Sequence, residues 1–402
     1  MHQDRRLFLQ QAALSSLGLL ALPQASASMF SGIATADEDD LKADLIFRTR
    51  IPRNAEPPLP KLVESWITPN RLFYVRSHAP NPVISRDSFR LQIDGLVQRD
   101  TSFSLAELEQ KFTRVECTCT MTCAGNRRYE HSKVKTVGGV QWEEGPIGNA
   151  VWSGFRLSDV LKAIGLQDAA EHVWFEGLDQ IQRGDETIPF GGSVPVSKML
   201  QDADDMPGVL LATHMNGVPL PIDHGFPLRT VVPGYIGARS VKWLGRITVS
   251  NRPSPNHYVA TAYKLVQTGS DTDWAEAGPI YRFIVNSAIC SADLTELANG
   301  RVTVGGYALP TGLPDTSISG VELSADGGQT WQAADLDHAG GDYCWTLWSA
   351  TVNNVRSDGD LLLRAADSSG RIQPVSVPWN AKGYMYNAWQ RVPVSSLKSF
   401  SQ

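Results

Sequence analysis

The sequence predicts a mixed α+β domain followed by an all-β sandwich. Three observations predict it. Helix-start signals stand at two serines in the first half, a strand period runs into Cys123, and short alternating strands recur at regular spacing beyond residue 300. A chain of 402 residues has room for two or three domains. Hydrophobic residues make up 42% and charged residues 19%, which suits packed cores rather than a disordered chain. The formal net charge of −6 excludes the basic footprint that nucleic-acid binding requires.

The N-terminus carries a charged start with Arg5-Arg6-Leu7-Phe8-Leu9, an uncharged stretch to Leu22, and small residues at Ala25-Ser26-Ala27. This order reads as an export signal over residues 1–27, and the paired arginines fit the twin-arginine type. The apolar part is shorter than the ~20 residues a spanning helix needs, so no membrane span is expected and the mature protein is expected in the periplasm. Residues 28–60, with Asp37–Asp40 and the prolines 57, 58 and 60, read as an irregular arm. Organised structure is expected from near Leu72, within a first domain over 61–278.

Phe89 to Ile93 alternates as a half-buried strand should. Ser104 with Glu107 three residues on is a capping-box start. Val115, Cys117, Cys119, Met121 and Cys123 alternate with polar neighbours, which predicts a strand carrying the three cysteines on one face. Ser158 is expected to cap a short helix that Gly165 ends. Polar residues 266–280 mark a boundary, and 279–402 forms the second domain. There, strands at Val302–Val304, Ile318–Ser324, Trp345–Val352 and Leu361–Ala366, separated by Gly-rich turns, predict an antiparallel sandwich.

The chain has five cysteines, an odd number for an exported protein, so at least one thiol is not paired within the chain. No C-x-x-C-H occurs, which excludes a c-type haem attached here. The strand ending at Cys123 runs into Ala124-Gly125-Asn126-Arg127-Arg128. A thiol beside guanidiniums favours the thiolate, a soft metal ligand, and paired arginines suit an oxyanion. Spacing alone leaves open a buried structural cysteine beside a solvated arginine pair. Cys117 and Cys119 read as small core residues; an iron–sulfur site lacks an obvious fourth ligand.

The run Cys123 to Arg128 resembles the molybdenum-ligand motif of the sulfite oxidase family. The likeness continues through Phe73-Tyr74-Val75-Arg76-Ser77-His78, with Ser77 where the family has asparagine, and through Phe175 to Asp179, Met215 to Pro221, Asp223 to Arg229, Val231 to Gly234 and Gly237 to Leu244. It resumes at Val321 to Ser324, Gly327 to Trp331, Trp379-Asn380 and Asn387-Ala388-Trp389. The resemblance implies an α+β molybdopterin-binding domain followed by an immunoglobulin-like sandwich used for dimerisation, and hence a homodimer.

The resemblance also implies roles. Cys123 would hold molybdenum within a molybdopterin cofactor. Arg76, Arg128, Trp142 and Tyr263 would form the substrate pocket. His78, Asp179, His224, Arg229, Ser240 and Lys242 would bind the pterin and its phosphate. Where the family places an arginine after Trp-Asn, this chain has Lys382, which keeps the charge and loses the bidentate fork. No haem-binding segment is expected ahead of the molybdenum domain. The implied activity is therefore oxidation of sulfite to sulfate, with electrons leaving singly to a separate acceptor, a c-type cytochrome. Rival expectations on the same fold are a sulfane-sulfur dehydrogenase, a nitrate reductase, a sulfoxide reductase and a non-catalytic assembly subunit.

Overall fold

The computed structural model describes residues 42, 44–267, 270–337 and 341–400. The expected export signal and the start of the arm lie outside the described residues. Among the described residues, no helix is long and apolar enough to cross a membrane.

The first half holds two five-stranded sheets. One runs in the order Gly191–Pro195, His172–Gly177, Leu244–Ser250, Leu91–Gly95, Thr101–Phe103. Its only parallel pair is Leu244–Ser250 with Leu91–Gly95, and its other pairs are antiparallel. The helix Leu105–Lys111 follows, and its capping box is complete: Ser104 Oγ accepts from the Glu107 N–H while the Glu107 carboxylate accepts from the Ser104 N–H. The helix Leu157–Ile164 also forms and ends at Gly165, φ 79°. Ser158 is not its cap. It lies inside the first turn, where its hydroxyl donates to Asp202. Leu157, Val160 and Leu161 from this helix pack with Phe175 and Ile247 into one apolar core.

The second sheet carries the cysteine strand. Arg114–Thr122 pairs antiparallel with Ile147–Arg156 over nine residues, with Cys117 opposite Trp152 and Thr122 opposite Ile147. Leu210–Met215 continues the sheet and pairs also with Arg229–Val231. Gly154 is required here: a Cβ on it would sit 2.0 Å from the Leu211 carbonyl oxygen.

The segment expected as an irregular arm is partly ordered. Ile46–Thr49 and Asn54–Glu56 form a hairpin that pairs onward with Val75–Arg76. The Glu56 carboxylate is buried, paired with Arg48 at 2.5 Å, and accepts the Gly145 N–H at 3.0 Å. These are long-range partners, invisible to local pattern.

Beyond residue 285 every strand pair is antiparallel. One four-stranded sheet runs Asn286–Asp293, Val302–Leu309, Thr346–Val352, Asp335–Asp337, and the other runs Gln332–Ala333, Ile318–Ser324, Asp360–Asp367, Gln390–Pro393. Val304, Val321, Leu323, Trp348 and Leu363 fill the space between them. This is the sandwich the alternation predicted.

A further apolar cluster spans both halves. Cys117, Cys119, Trp142 and Trp152 share it with Cys290, Tyr307 and Trp345. The contact is stitched by the Thr120 N–H to the Tyr343 carbonyl at 3.0 Å and by the Trp345 N–H to Thr120 Oγ1 at 2.8 Å. Cys117 and Cys119 are buried free thiols in this core, as expected of small apolar side chains.

Candidate active site

Cys123 follows the last residue of its strand, so strand pairing fixes its backbone: its N–H donates to the Pro146 carbonyl at 2.9 Å. The thiol is 7% exposed and lines a pocket together with Arg76, His78, Asp179, His224, Arg229, Ser240, Lys242 and Tyr263. Nine of the twelve residues expected at the site thus converge on one space, from six separated stretches of chain. The Gly125 N–H points at Cys123 Sγ, 3.4 Å away.

Arg128, Trp142 and Lys382 are not among the pocket-lining residues. Arg128 and Trp142 lie against the turn after the cysteine. A Cβ on Gly125 would sit 2.7 Å from Arg128 Nη2 and 3.1 Å from Trp142 Cδ1. Trp142 is fully buried, and its indole N–H has no hydrogen-bond partner. Arg128 donates Nε to the Lys382 carbonyl at 3.0 Å and Nη1 to the Val140 carbonyl at 2.8 Å. The Lys382 side chain is exposed and rests over the Trp274 ring, 5.4 Å from its centroid. The expected cation from the second half therefore does not enter the pocket; its backbone carbonyl does the holding.

The paired-arginine reading of Arg127 and Arg128 also needs correction. Arg127 adopts φ 60° and turns its guanidinium into the second half, donating to Asn286 Oδ1 at 3.2 Å and the Ala388 carbonyl at 2.8 Å. It binds the halves together and is fully buried.

The pocket side chains form two hydrogen-bonded groups of different chemistry. In one, Arg76 Nη2 lies 2.7 Å from His78 Nε2, and the Tyr263 hydroxyl lies 3.3 Å from the same nitrogen. Burial, reinforced by Arg76 and Lys242, pushes the His78 pKa well down, so the ring is neutral and accepts at one nitrogen. Burial pushes the Tyr263 pKa up despite Arg76, so its hydroxyl stays protonated and donates. In the other, Lys242 Nζ donates to Ser77 Oγ at 2.7 Å and to the Asp223 carbonyl at 3.0 Å. Arg229 donates to the carbonyls of His224 at 2.8 Å and Ser240 at 3.1 Å, and to Met121 Sδ at 3.3 Å. Burial lowers Lys242 to about 7 and Arg229 to about 10.

These cations have mostly neutral partners. Of the two pocket carboxylates, Asp223 is engaged by Arg53 at 2.6 Å and by Asn81 at 2.8 Å. Asp179 accepts the Phe190 N–H at 3.1 Å, and burial raises its pKa. A buried cation facing neutral dipoles is costly and is relieved when an anion binds. With a soft thiol beside them, the residues fit a thiolate-bound metal together with an anionic group, as the molybdopterin expected from the resemblance would supply.

Sequence reasoning missed three contributors. Lys42 is buried and donates to the Phe73 carbonyl at 3.2 Å and toward His224 Nε2 at 2.9 Å, which braces that ring from the N-terminal side. Arg239 is fully buried, holds the Ile280 and Tyr258 carbonyls at 2.8 and 2.9 Å, and lies 5.9 Å from the Tyr263 ring centroid. Tyr74 lines the pocket beside Cys123. Arg239 and Tyr74 stood within matched motifs, whereas nothing in the sequence marked Lys42.

Comparison with known proteins agrees with this geometry. Residues 78–258 match the model of the oxidoreductase molybdopterin binding domain, and residues 277–397 that of the Mo-co oxidoreductase dimerisation domain. Sulfite oxidase of Gallus gallus is 42% identical over 354 residues, spanning 85% of this chain and 75% of that protein. Sulfite oxidase of Arabidopsis thaliana is 37% identical over 366 residues, spanning 85% of this chain and 91% of that protein. The crystal structure of the sulfane dehydrogenase SoxCD from Paracoccus pantotrophus shares the fold, with a TM-score of 0.71 at 23% identity, covering 92% of each chain. A molybdopterin-binding domain, a dimerisation domain and a likeness over 85% of the chain at this identity place the chain in the sulfite oxidase family of molybdopterin oxidoreductases.

Proposed function

We propose that this chain oxidises sulfite to sulfate at a molybdenum–pterin centre held by Cys123. The observation that supports it best is one pocket lined by the Cys123 thiol together with Arg76, His78, Tyr263, Arg229 and Lys242. Bound molybdenum would supply the two-electron oxygen-atom chemistry that no side chain here can supply. His224, Arg229, Lys242, Asp179 and Ser240 would hold the pterin and its phosphate, where buried cations meet an anion.

Sulfite must shed water to enter. That costs several kcal/mol unless fixed donors replace its hydration. Arg76 supplies charge and is aimed by the neutral His78, which accepts from it at 2.7 Å, and the protonated Tyr263, 3.3 Å from the same nitrogen, supplies its single O–H to the anion. Arg128 and Trp142 support the cysteine turn from behind. Electrons leave singly to a separate acceptor, a c-type cytochrome. The working form is a homodimer formed through the second half, exported to the periplasm by the leader.

Steady-state assay of the molybdenum-loaded protein tests this. Sulfite-dependent reduction of cytochrome c or ferricyanide is expected; none at millimolar sulfite overturns it. A second reading, taken from the shared fold of the sulfane dehydrogenase SoxCD, is a sulfane-sulfur substrate, which the same assay with a persulfide in place of sulfite addresses.

A further inference from the structure

The segment after Trp379 reaches from the second half across the cysteine turn. The Met385 N–H donates to the Ala124 carbonyl at 2.7 Å, and the Lys382 carbonyl accepts from Arg128. Asn380 locks the turn upon itself: its Oδ1 accepts the Tyr384 N–H at 3.0 Å, and its Nδ2 donates to the Tyr384 carbonyl at 2.8 Å. Gly383 has φ 59°, and a Cβ on it would sit 2.7 Å from Arg128 Cγ. Only glycine allows this close approach.

This turn delivers an aromatic ring against the pocket tyrosine. Tyr384 is 8% exposed. Its ring stacks on Tyr263 with centroids 5.1 Å apart and an interplanar angle of 15°. The Arg128 guanidinium carbon lies 5.1 Å from the same centroid. One ring therefore contacts both the hydroxyl donor of the pocket and the guanidinium beside the Cys123 turn.

We propose that Tyr384 is a positioning residue for the oxyanion substrate, fixing the plane of Tyr263 by stacking on its ring. The identity of the anion rests on the sulfite reading above. A face-on ring attracts a desolvated guanidinium and restrains a stacked phenol. The contribution is to orientation in both ground and transition states, so it acts on anion affinity more than on turnover. Arg128 keeps its bonds to Val140 and Lys382 without the ring, so the turn itself does not depend on Tyr384.

The test compares Tyr384→Phe with Tyr384→Met in the molybdenum-loaded protein. The readouts are KM and kcat for sulfite, molybdenum content, and the calorimetric Kd for sulfate. The phenylalanine variant keeps the π face and is expected within about twofold of the parent in each readout. The methionine variant is expected to raise KM and the sulfate Kd together by about five- to tenfold, with kcat changed less than about threefold and molybdenum content intact. Should it fail to fold, Tyr384→Trp against Tyr384→Leu makes the same comparison. Parent-like KM and Kd in the methionine variant overturn the proposal, as does equal damage from phenylalanine. A parent protein that turns over no sulfite overturns the sulfite reading alone, because the sulfate Kd values still decide the role of Tyr384.

Discussion

Replacing Lys242 with methionine removes a buried ammonium while keeping most of its volume. The lysine donates to Ser77 Oγ and the Asp223 carbonyl, and burial lowers its pKa from 10.5 to about 7. A shift of that size corresponds to about 4–5 kcal/mol against folding at pH 7 or below. Water in the pocket screens part of it, and the two lost hydrogen bonds cost about 1 kcal/mol each. The cofactor-free K242M protein is therefore expected to be about 1–2 kcal/mol more stable than the parent at pH 7. The sign follows from proton binding: between pH 7 and 10.5 the unfolded chain holds the proton that the folded lysine has lost. The parent gains stability as pH rises through this window, and the advantage of K242M shrinks and vanishes. Urea unfolding of both cofactor-free proteins at pH 6.5, 8 and 9.5 reads it directly. A K242M protein less stable than the parent at pH 6.5, or a gap that does not narrow with pH, refutes the reasoning. In cofactor-loaded preparations the order reverses in function, with K242M retaining several-fold less molybdenum.

Other substitutions probe separate links. Cys123→Ser, which keeps shape and removes the soft ligand, is expected to lose molybdenum by metal analysis while the cofactor-free protein melts within about 2 °C of the parent. Ser104→Ala breaks a complete capping box and is expected to cost about 1 kcal/mol in denaturant unfolding. Gly306→Ala places a Cβ 1.9 Å from the Ala288 carbonyl oxygen in the neighbouring strand; a loss of about 2–3 kcal/mol is expected, and an unchanged midpoint contradicts the packing described.

Local pattern carried much of the fold. The capping box at Ser104, the alternation into Cys123 and the sandwich strands are each set by neighbours in sequence, and each appears as read. Features decided by distant partners were not legible. The hairpin Ile46–Thr49 with Asn54–Glu56 contains a buried carboxylate, which makes sense only with Arg48 and the Gly145 N–H in place. Ser158 looked like a cap, but Asp202, 44 residues away, claims its hydroxyl. The same limit applies at the site. Motif order brought nine expected residues to one pocket, yet it could not tell that Arg127 turns toward Asn286 or that Lys382 lies over Trp274. Side-chain direction at a turn depends on backbone φ, and both Arg127 and Gly383 are left-handed.

The central claim is that the Cys123 thiolate holds a molybdenum centre that sulfite reduces. Anaerobic titration of the molybdenum-loaded protein with sulfite tests it most directly, followed by the visible charge-transfer absorption of the thiolate–metal bond. The account predicts bleaching that is complete at about one sulfite per molybdenum, and no such band in Cys123→Ser. A band that sulfite leaves unchanged, or one that survives the serine substitution, contradicts it.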